Sequence, residues 1–303
     1  MNPKCALFHS DSWNHLVELS LGYESAEVAV NCGGSTFVLR CWEKRFLAFR
    51  LVGSPLRGGF IPCSPLQSTL TNTELNEVLR VLFLRSRAGF SEITFDRLIP
   101  NNPCLLLRLI YKKFNKYTFV IDLSPSIDQI FMDMSQRARN MIRKAEKNRV
   151  RVEEISNPSE REIVQFYAML EATFAKSKTK PPHKMSFFSA LFKSKLSYVL
   201  YKACYGNEVC GYSLFVFDNE EAFYLAGTST RVGNKYAASS LIQWSAIQRF
   251  KDYGISLYDL GGGGIPSIDK FKQSFGGKIV FRTSFLSRLS FGYLALRLRE
   301  LIR

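Results

Sequence analysis

Residues 196–229 read LSYVLYKACYGNEVCGYSLFVFDNEEAFYLAGTS. Three runs rich in β-branched and aromatic residues, 196–205, 208–218 and 221–229, are parted by the pairs Gly206-Asn207 and Asn219-Glu220. That spacing predicts a three-stranded antiparallel meander with tight turns. Upstream, YTFVIDL (117–123) reads as a strand, 126–149 as one long helix capped by Ser126, and 150–155 as a strand. Residues 157–176 follow as a helix opened by Asn157-Pro158 with Ser159 as its capping residue, and 184–195 as a short helix. Downstream, 238–254 is a helix ended by Gly254, and 255–262 a strand running into glycines. A short helix over 267–277, stopped by Gly276, and a strand over 278–285 complete the order. The class is mixed α/β (α+β) and lacks the regular strand–helix alternation of a doubly wound sheet.

The first 125 residues are less patterned. GSTFVLRCW (34–42) and KRFLAFRLV (44–52) are strand-like runs around Glu43, and 53–66 is a Gly/Pro-rich loop. Residues 71–90 form a helix that Asn72 or Thr73 can cap, with Leu75, Val78, Leu79 and Leu82 on its apolar face. SEITFDRL (91–98) resembles a strand. At 303 residues the chain has the length of two domains. No repeat of 20–50 residues is visible, which argues against a solenoid.

Composition narrows the class further. A hydrophobic fraction of 46% with 25 Phe excludes a disordered chain. No apolar run reaches the roughly 18 residues of a membrane-spanning helix. His9, Ser10, Asp11 and Ser12 break the N-terminal apolar stretch too early for a secretory signal, so a cytoplasmic protein is expected. The seven Cys are scattered with no CxxC, and read as reduced, buried thiols. The net charge of +15 is uneven: residues 1–125 carry 14 cations against 10 acids, residues 126–303 carry 27 against 16. The second half therefore favours an anionic partner.

The densest cationic stretch is SQRARNMIRKAEKNRVR, with Arg137, Arg139, Arg143, Lys144, Lys147, Arg149 and Arg151 against Glu146. Guanidinium forks at Arg139 and Arg143, four residues apart on one helical face, suit phosphate oxygens; a solvated basic face is the alternative. Asp259-Leu260-Gly261-Gly262-Gly263-Gly264 fails the G-x-G-x-x-G pattern because Pro266 and Ser267 stand where a third glycine is needed. It reads as a flexible turn shaping a cleft. There is no Walker-type loop, no G-x-S-x-G and no H-E-x-x-H, and His9, His15 and His183 have no triad context. No metal is expected. In the C-terminal segment 288–302, Phe291, Leu294, Leu298, Leu301 and Ile302 share a face opposite Arg297, Glu300 and Arg303, which allows core docking or contact with an anionic membrane.

Several of these stretches, in this order, resemble a known family. They are Arg137-x-Arg139-Asn140-x-Ile142-Arg143-Lys144-Ala145-Glu146-Lys147, then Tyr224-Leu225-Ala226-Gly227-Thr228-Ser229, then Leu241-Ile242-Gln243-Trp244. Tyr258-Asp259-Leu260-Gly261-Gly262 and Ile268-Asp269-Lys270-Phe271-Lys272-x-x-Phe275-Gly276-Gly277 follow. The pattern resembles the Fem-type (FemABX) peptidyltransferases and related acetyltransferase-like GNAT-fold proteins of bacterial envelope biosynthesis. It covers about residues 117–285; in the first half only Ser54-Pro55-x-x-Gly58-Gly59 is similar.

The resemblance implies two GNAT-like lobes, 1–125 and 126–285, each a mixed, mainly antiparallel sheet flanked by helices, followed by an amphipathic helix over 286–303. It implies acyl or aminoacyl transfer to an amino group of a cell-envelope or polysaccharide precursor, with acyl-CoA or aminoacyl-tRNA as co-substrate and no tightly bound cofactor. The implied partners are a nucleotide- or lipid-linked sugar precursor and tRNA, not DNA, at the inner face of the plasma membrane. Lys272 is the candidate cation for an oxyanion, and Asp259 the group that orients or deprotonates the amine. Arg139, Arg143, Lys144, Tyr224, Gly261, Gly262 and Phe271 are the candidate substrate contacts. Arg231, Gly233 and Lys235 stand where a CoA pyrophosphate would lie, although Thr230–Tyr236 is not a clean [RQ]-x-x-G-x-[GA] loop. A membrane-peripheral scaffold with the GNAT fold and a basic RNA-binding module are the readings from other classes.

Overall fold

The computed structural model describes residues 6–32, 35–46, 49–53, 70–87 and 90–288. In chain order the elements are α1 (Asp11–Leu21), β1 (Glu24–Cys32), β2 (Ser35–Phe46), β3 (Phe49–Gly53), α2 (Asn72–Ser86), β4 (Phe90–Thr94), α3 (Leu105–Ile110) and β5 (Tyr111–Asp122). They continue with α4 (Ile127–Asp133), α5 (Gln136–Lys147), β6 (Arg151–Ile155), α6 (Glu160–Ala175), α7 (Met185–Phe192), β7 (Ser197–Tyr205), β8 (Glu208–Phe217) and β9 (Glu221–Ser229). The last are α8 (Arg231–Lys235), α9 (Ala238–Asp252), β10 (Leu257–Gly262), α10 (Pro266–Ser274) and β11 (Lys278–Ser287). The chain divides into two compact units, Thr118–Val280 and Asn2–Tyr117 with Phe281–Arg303. The fold is mixed α/β, as the sequence predicts.

In the unit that holds the N-terminal residues, the strands run in the order β1-β2-β3-β4-β11. All neighbours are antiparallel except the parallel pair β3–β4. Leu75, Val78, Leu79 and Leu82 of α2 are buried with Val28, Leu39, Val52, Phe95 and Phe285, so the predicted apolar face is the packed one. Its cap is Thr71, in a capping box with Glu74, rather than Asn72 or Thr73. Glu43 does not separate two strands. It lies inside β2, and Arg85 and Arg50 neutralise its buried carboxylate, which allows an acid within the sheet. The Pro/Gly loop at 54–59 and the C-terminal segment from 289 onward lie outside the described residues.

In the unit Thr118–Val280 the order is β5-β10-β9-β8-β7-β6. The meander β7–β8–β9 forms as predicted, with Gly206 turning in the left-handed region at φ 59°. Phe166, Phe188, Tyr212, Phe215 and Phe250 are buried between this sheet and α6, α7 and α9. The long helix expected over 126–149 is broken in two. Met134 is extended, Ser135 accepts from the Ala138 amide to start α5, and the Ser135 amide donates to Ser274 O at 2.9 Å. A serine cap and a tertiary bond outweigh a helical pattern that runs through.

Among the described residues no helix is long and apolar enough to cross a membrane. Cys41, Cys204 and Cys210 are buried, and burial pushes the Cys41 thiol up to about 12; against the expectation, Cys104 is exposed where it caps α3, and Cys32 is half-buried at the end of β1. Cys5 and Cys63 lie outside the described residues.

Candidate transferase site

β9 and β10 are parallel neighbours only over a short stretch. Leu257 pairs with Glu221, Tyr258 with Ala222 and Asp259 with Phe223, and no pairing follows. β9 continues to Ser229, while a bulge takes β10 from Asp259 to Gly262 against Thr118 of β5. A second bulge in β9, at Leu225, shifts the register to β8 between Leu214 and Phe215. The Tyr224 side chain lies along its own strand toward Gly227. A Cβ on Gly227 would stand 1.7 Å from the Tyr224 hydroxyl, so this position has room only for glycine. Two strands that part inside a sheet leave backbone groups turned toward the gap, where a ligand can complete the pairing.

Lys272 reaches this region from α10. Its side chain is buried, only 6% exposed, and its Nζ donates to Gly262 O at 2.7 Å. The ammonium lies 5.8 Å from the centre of the Phe119 ring, a cation–π contact. Among the described residues no other acceptor meets Nζ, so two of its three donors are unspent. Burial pulls the Lys272 pKa below the ordinary lysine value, while the charges of Asp259 and Asp269 oppose that shift.

Asp259 is buried beside it at the last position of β10 that pairs with β9. Its Oδ1 accepts the Thr118 hydroxyl and the Gly261 amide, the latter at 2.7 Å. Gly261 has φ 85°, which lets the chain fold back onto the carboxylate. A Cβ on Gly261 would lie 3.5 Å from Lys272 Nζ and 3.7 Å from Tyr224 O, so strand, glycine turn and lysine converge at one point. Tyr224 hydrogen-bonds Ser213, and burial raises its phenol. Phe271 packs at 5.0 Å on Phe275, which is buried.

Of the basic helix, Arg139 spends its guanidinium on the carbonyls of Met132 and Met134 and on Gln136, fixing the corner between α4 and α5. Arg143 is exposed, 5.4 Å above Phe131. Lys144 is exposed too, and its charge helps Lys235 to lower the Tyr236 phenol, after hydrogen bonds from Tyr205 and Lys235. Tyr236 stacks on Tyr205 at 4.0 Å, with Lys235 Nζ 5.0 Å from its ring centre. Arg231 is exposed at the start of α8. Gly233 is packed inward: a Cβ would meet Cys210 O at 2.2 Å, and its amide is taken by Thr230.

Thr118 and Phe119 complete the surroundings of Asp259 and Lys272. Nothing in their local sequence marks them, because their role comes from pairing with a strand about 140 residues away.

Residues 133–273 match the family model for the Acetyltransferase (GNAT) domain. Over these residues the chain carries a GNAT-type acetyltransferase domain, and its fold is that of GNAT proteins. Among solved structures it is similar to FemX, with a TM-score of 0.64 and 13% identity, covering 92% of this chain and 94% of that one. It also resembles the C-terminal domain of a putative lysylphosphatidylglycerol synthetase from Agrobacterium fabrum, with a TM-score of 0.58 and 10% identity over 98% and 90% of the two chains. A tandem GNAT protein of the clavulanic acid pathway gives a TM-score of 0.52 and 10% identity, over 87% and 82%. No curated protein matches the sequence.

Proposed function

We propose that the chain transfers an acyl or aminoacyl group to the amino group of a cell-envelope precursor, at the point where β9 and β10 part. The observation that carries the reading is the buried Lys272 ammonium with two unspent donors beside the Asp259 carboxylate. Such a cation is costly to bury unless an anion appears next to it. In acyl transfer one does. The amine attacks the ester or thioester carbonyl, a C–N bond forms, and the former carbonyl oxygen becomes an oxyanion. Lys272 receives that oxyanion. Collapse breaks the C–O or C–S bond, and the amine proton leaves through Asp259 to solvent or to the departing group.

The remaining candidates take supporting roles in this reading. Arg143 and Lys144, exposed on α5, with Arg231 and Lys235 on α8, supply cations for the phosphates of donor or acceptor. Arg139 holds the α4–α5 corner that carries Arg143 and Lys144, and Tyr224, Gly261, Gly262 and Phe271 border the reacting groups. The fold likeness to FemX and to a putative lysylphosphatidylglycerol synthetase domain favours an aminoacyl donor; the GNAT domain match favours acyl-CoA.

The deciding experiment offers acyl-CoA and charged tRNA separately, each with nucleotide- and lipid-linked peptidoglycan precursors, and reads amide products by mass spectrometry. An amide from either donor, lost in Lys272→Met, supports the reading. Salt-sensitive RNA binding with no product from any combination would favour the basic RNA-binding module instead.

A further inference from the structure

Among the described residues, the unit of Asn2–Tyr117 carries an apolar face that its own core does not use. In α3, Leu107 and Ile110 turn inward and are buried, whereas Leu105, Leu106 and Leu109 are 69%, 67% and 63% exposed. Leu98 is a further exposed leucine in the preceding segment. The helix is held firmly: the Cys104 amide donates to Asn76 Oδ1 at 2.8 Å, and Lys113 Nζ donates to Asn101 O at 2.9 Å. The three leucines are therefore displayed on a fixed turn.

Arg97 is paired with Asp96, but the charges of α3 and its C-terminal flank share one sign. From Leu98 to Lys113 the chain has three cations, Arg108, Lys112 and Lys113, and no acid. Arg108 and Lys112 are exposed, and neither makes an ion pair among the described residues. Adjacent aliphatic side chains fringed by unpaired cations suit the boundary between acyl chains and anionic headgroups, where leucine is buried and cations meet phosphate. Protein–protein hot spots favour Trp, Tyr and Arg over Leu, and the exposed face of α3 has no aromatic residue.

We propose that α3 and its flanks seat this protein peripherally on a bilayer containing anionic phospholipid, with Leu105, Leu106 and Leu109 entering the headgroup boundary and Arg108 and Lys112 contacting phosphates. The inference does not rest on the transferase reading, since it concerns a surface that needs no turnover.

The test is co-sedimentation of the full chain with vesicles of phosphatidylcholine alone and of phosphatidylcholine with phosphatidylglycerol. Pelleting is expected with the anionic vesicles and little with the neutral ones. The triple variant Leu105→Ser, Leu106→Ser, Leu109→Ser should lose it, and Arg108→Ser and Lys112→Ser should each weaken it about fivefold. In a separate arm, Leu106→Trp reports insertion directly by a blue shift of its emission when anionic vesicles are added. Failure of the full chain to pellet, equal pelleting of the triple variant, or an unchanged Trp spectrum overturns the proposal. So does a concentration-dependent dimer that the leucine substitutions abolish, which would make the face a contact between copies.

Discussion

Replacing Lys272 with methionine keeps an unbranched apolar stem in the same space and removes the ammonium. In the native chain one donor of Nζ is fixed on Gly262 O at 2.7 Å, and the other two have no protein acceptor among the described residues. If these two meet the oxyanion, the variant loses the preorganised stabilisation of one transition-state charge. That is about 100- to 1000-fold in turnover, equivalent to about 3–4 kcal/mol, with substrate affinity little changed. The pH dependence supplies a second, independent readout. Burial sets the Lys272 pKa below its ordinary value of 10.5. As pH rises through that lowered pKa, the wild type loses its cation and its activity falls. Over the same range the folded chain has shed a proton that the unfolded chain still binds, so wild-type stability rises. Activity and stability thus move in opposite directions on the alkaline side, and Lys272→Met shows neither change from this group. The assay is steady-state turnover with the active donor, beside urea unfolding on the same preparations. A folded Lys272→Met that turns over within tenfold of wild type would refute the assignment.

Four further outcomes are expected. Thr118→Val removes one donor to Asp259 Oδ1 and should cost about 1.5–3 kcal/mol in urea unfolding; Thr118→Ser should restore both stability and turnover, and if Ser fails to rescue, the hydroxyl is not what matters. Asp269→Asn removes a charge that raises the Lys272 pKa while an amide oxygen can still accept from the Gly264 amide, so the alkaline activity limb should move to lower pH; an unmoved limb contradicts the coupling. Gly233→Ala places a Cβ 2.2 Å from Cys210 O and should destabilise by about 1–3 kcal/mol in a thermal melt, whereas exposed Arg231→Ala should stay within about 0.5 kcal/mol and show its effect in donor affinity alone. Burial lowers the His183 pKa from 6.5 to about 4. Its contribution is full above 6.5 and lost as pH falls toward 4, worth roughly 3 kcal/mol; His183→Gln should flatten that part of the stability profile, and an unchanged acid slope would remove His183 as its source.

The sequence made the second unit more legible than the first for a physical reason. The β7–β8–β9 meander is built from local pairings with turns of a few residues, and Ser159 with Glu162 caps α6 within one turn. Such signals lie side by side in the chain. The α4–α5 break was hidden because its cause is distant: the Ser135 amide is held by Ser274 O, while the local pattern runs on as helix. The same applies to Glu43, whose charge reads as a strand break until Arg85, from α2, is placed beside it. At the site, Asp259, Gly261 and Lys272 stand within fourteen residues and carry recognisable chemistry. Thr118 and Phe119 belong to an ordinary strand and acquire meaning only through the pairing of β5 with β10.

That pairing also explains why the lysine can be buried at all. A lone ammonium in this position would be neutralised by its surroundings, and the downward shift of Lys272 shows the pull. Asp259 opposes it, and a buried carboxylate needs hydrogen-bond donors of its own where water is excluded. Thr118 and the Gly261 amide provide those donors, and Gly261 can do so because φ 85° turns its amide back to Oδ1. The order of dependence is therefore strand pairing, then a hydrogen-bonded carboxylate, then a charged lysine. Each step relies on the one before it, so a change as small as the loss of the Thr118 hydroxyl should reach the lysine without touching it. That leaves Lys272 with one donor fixed on Gly262 O and two without a protein acceptor among the described residues, beside the last pair of β9 with β10.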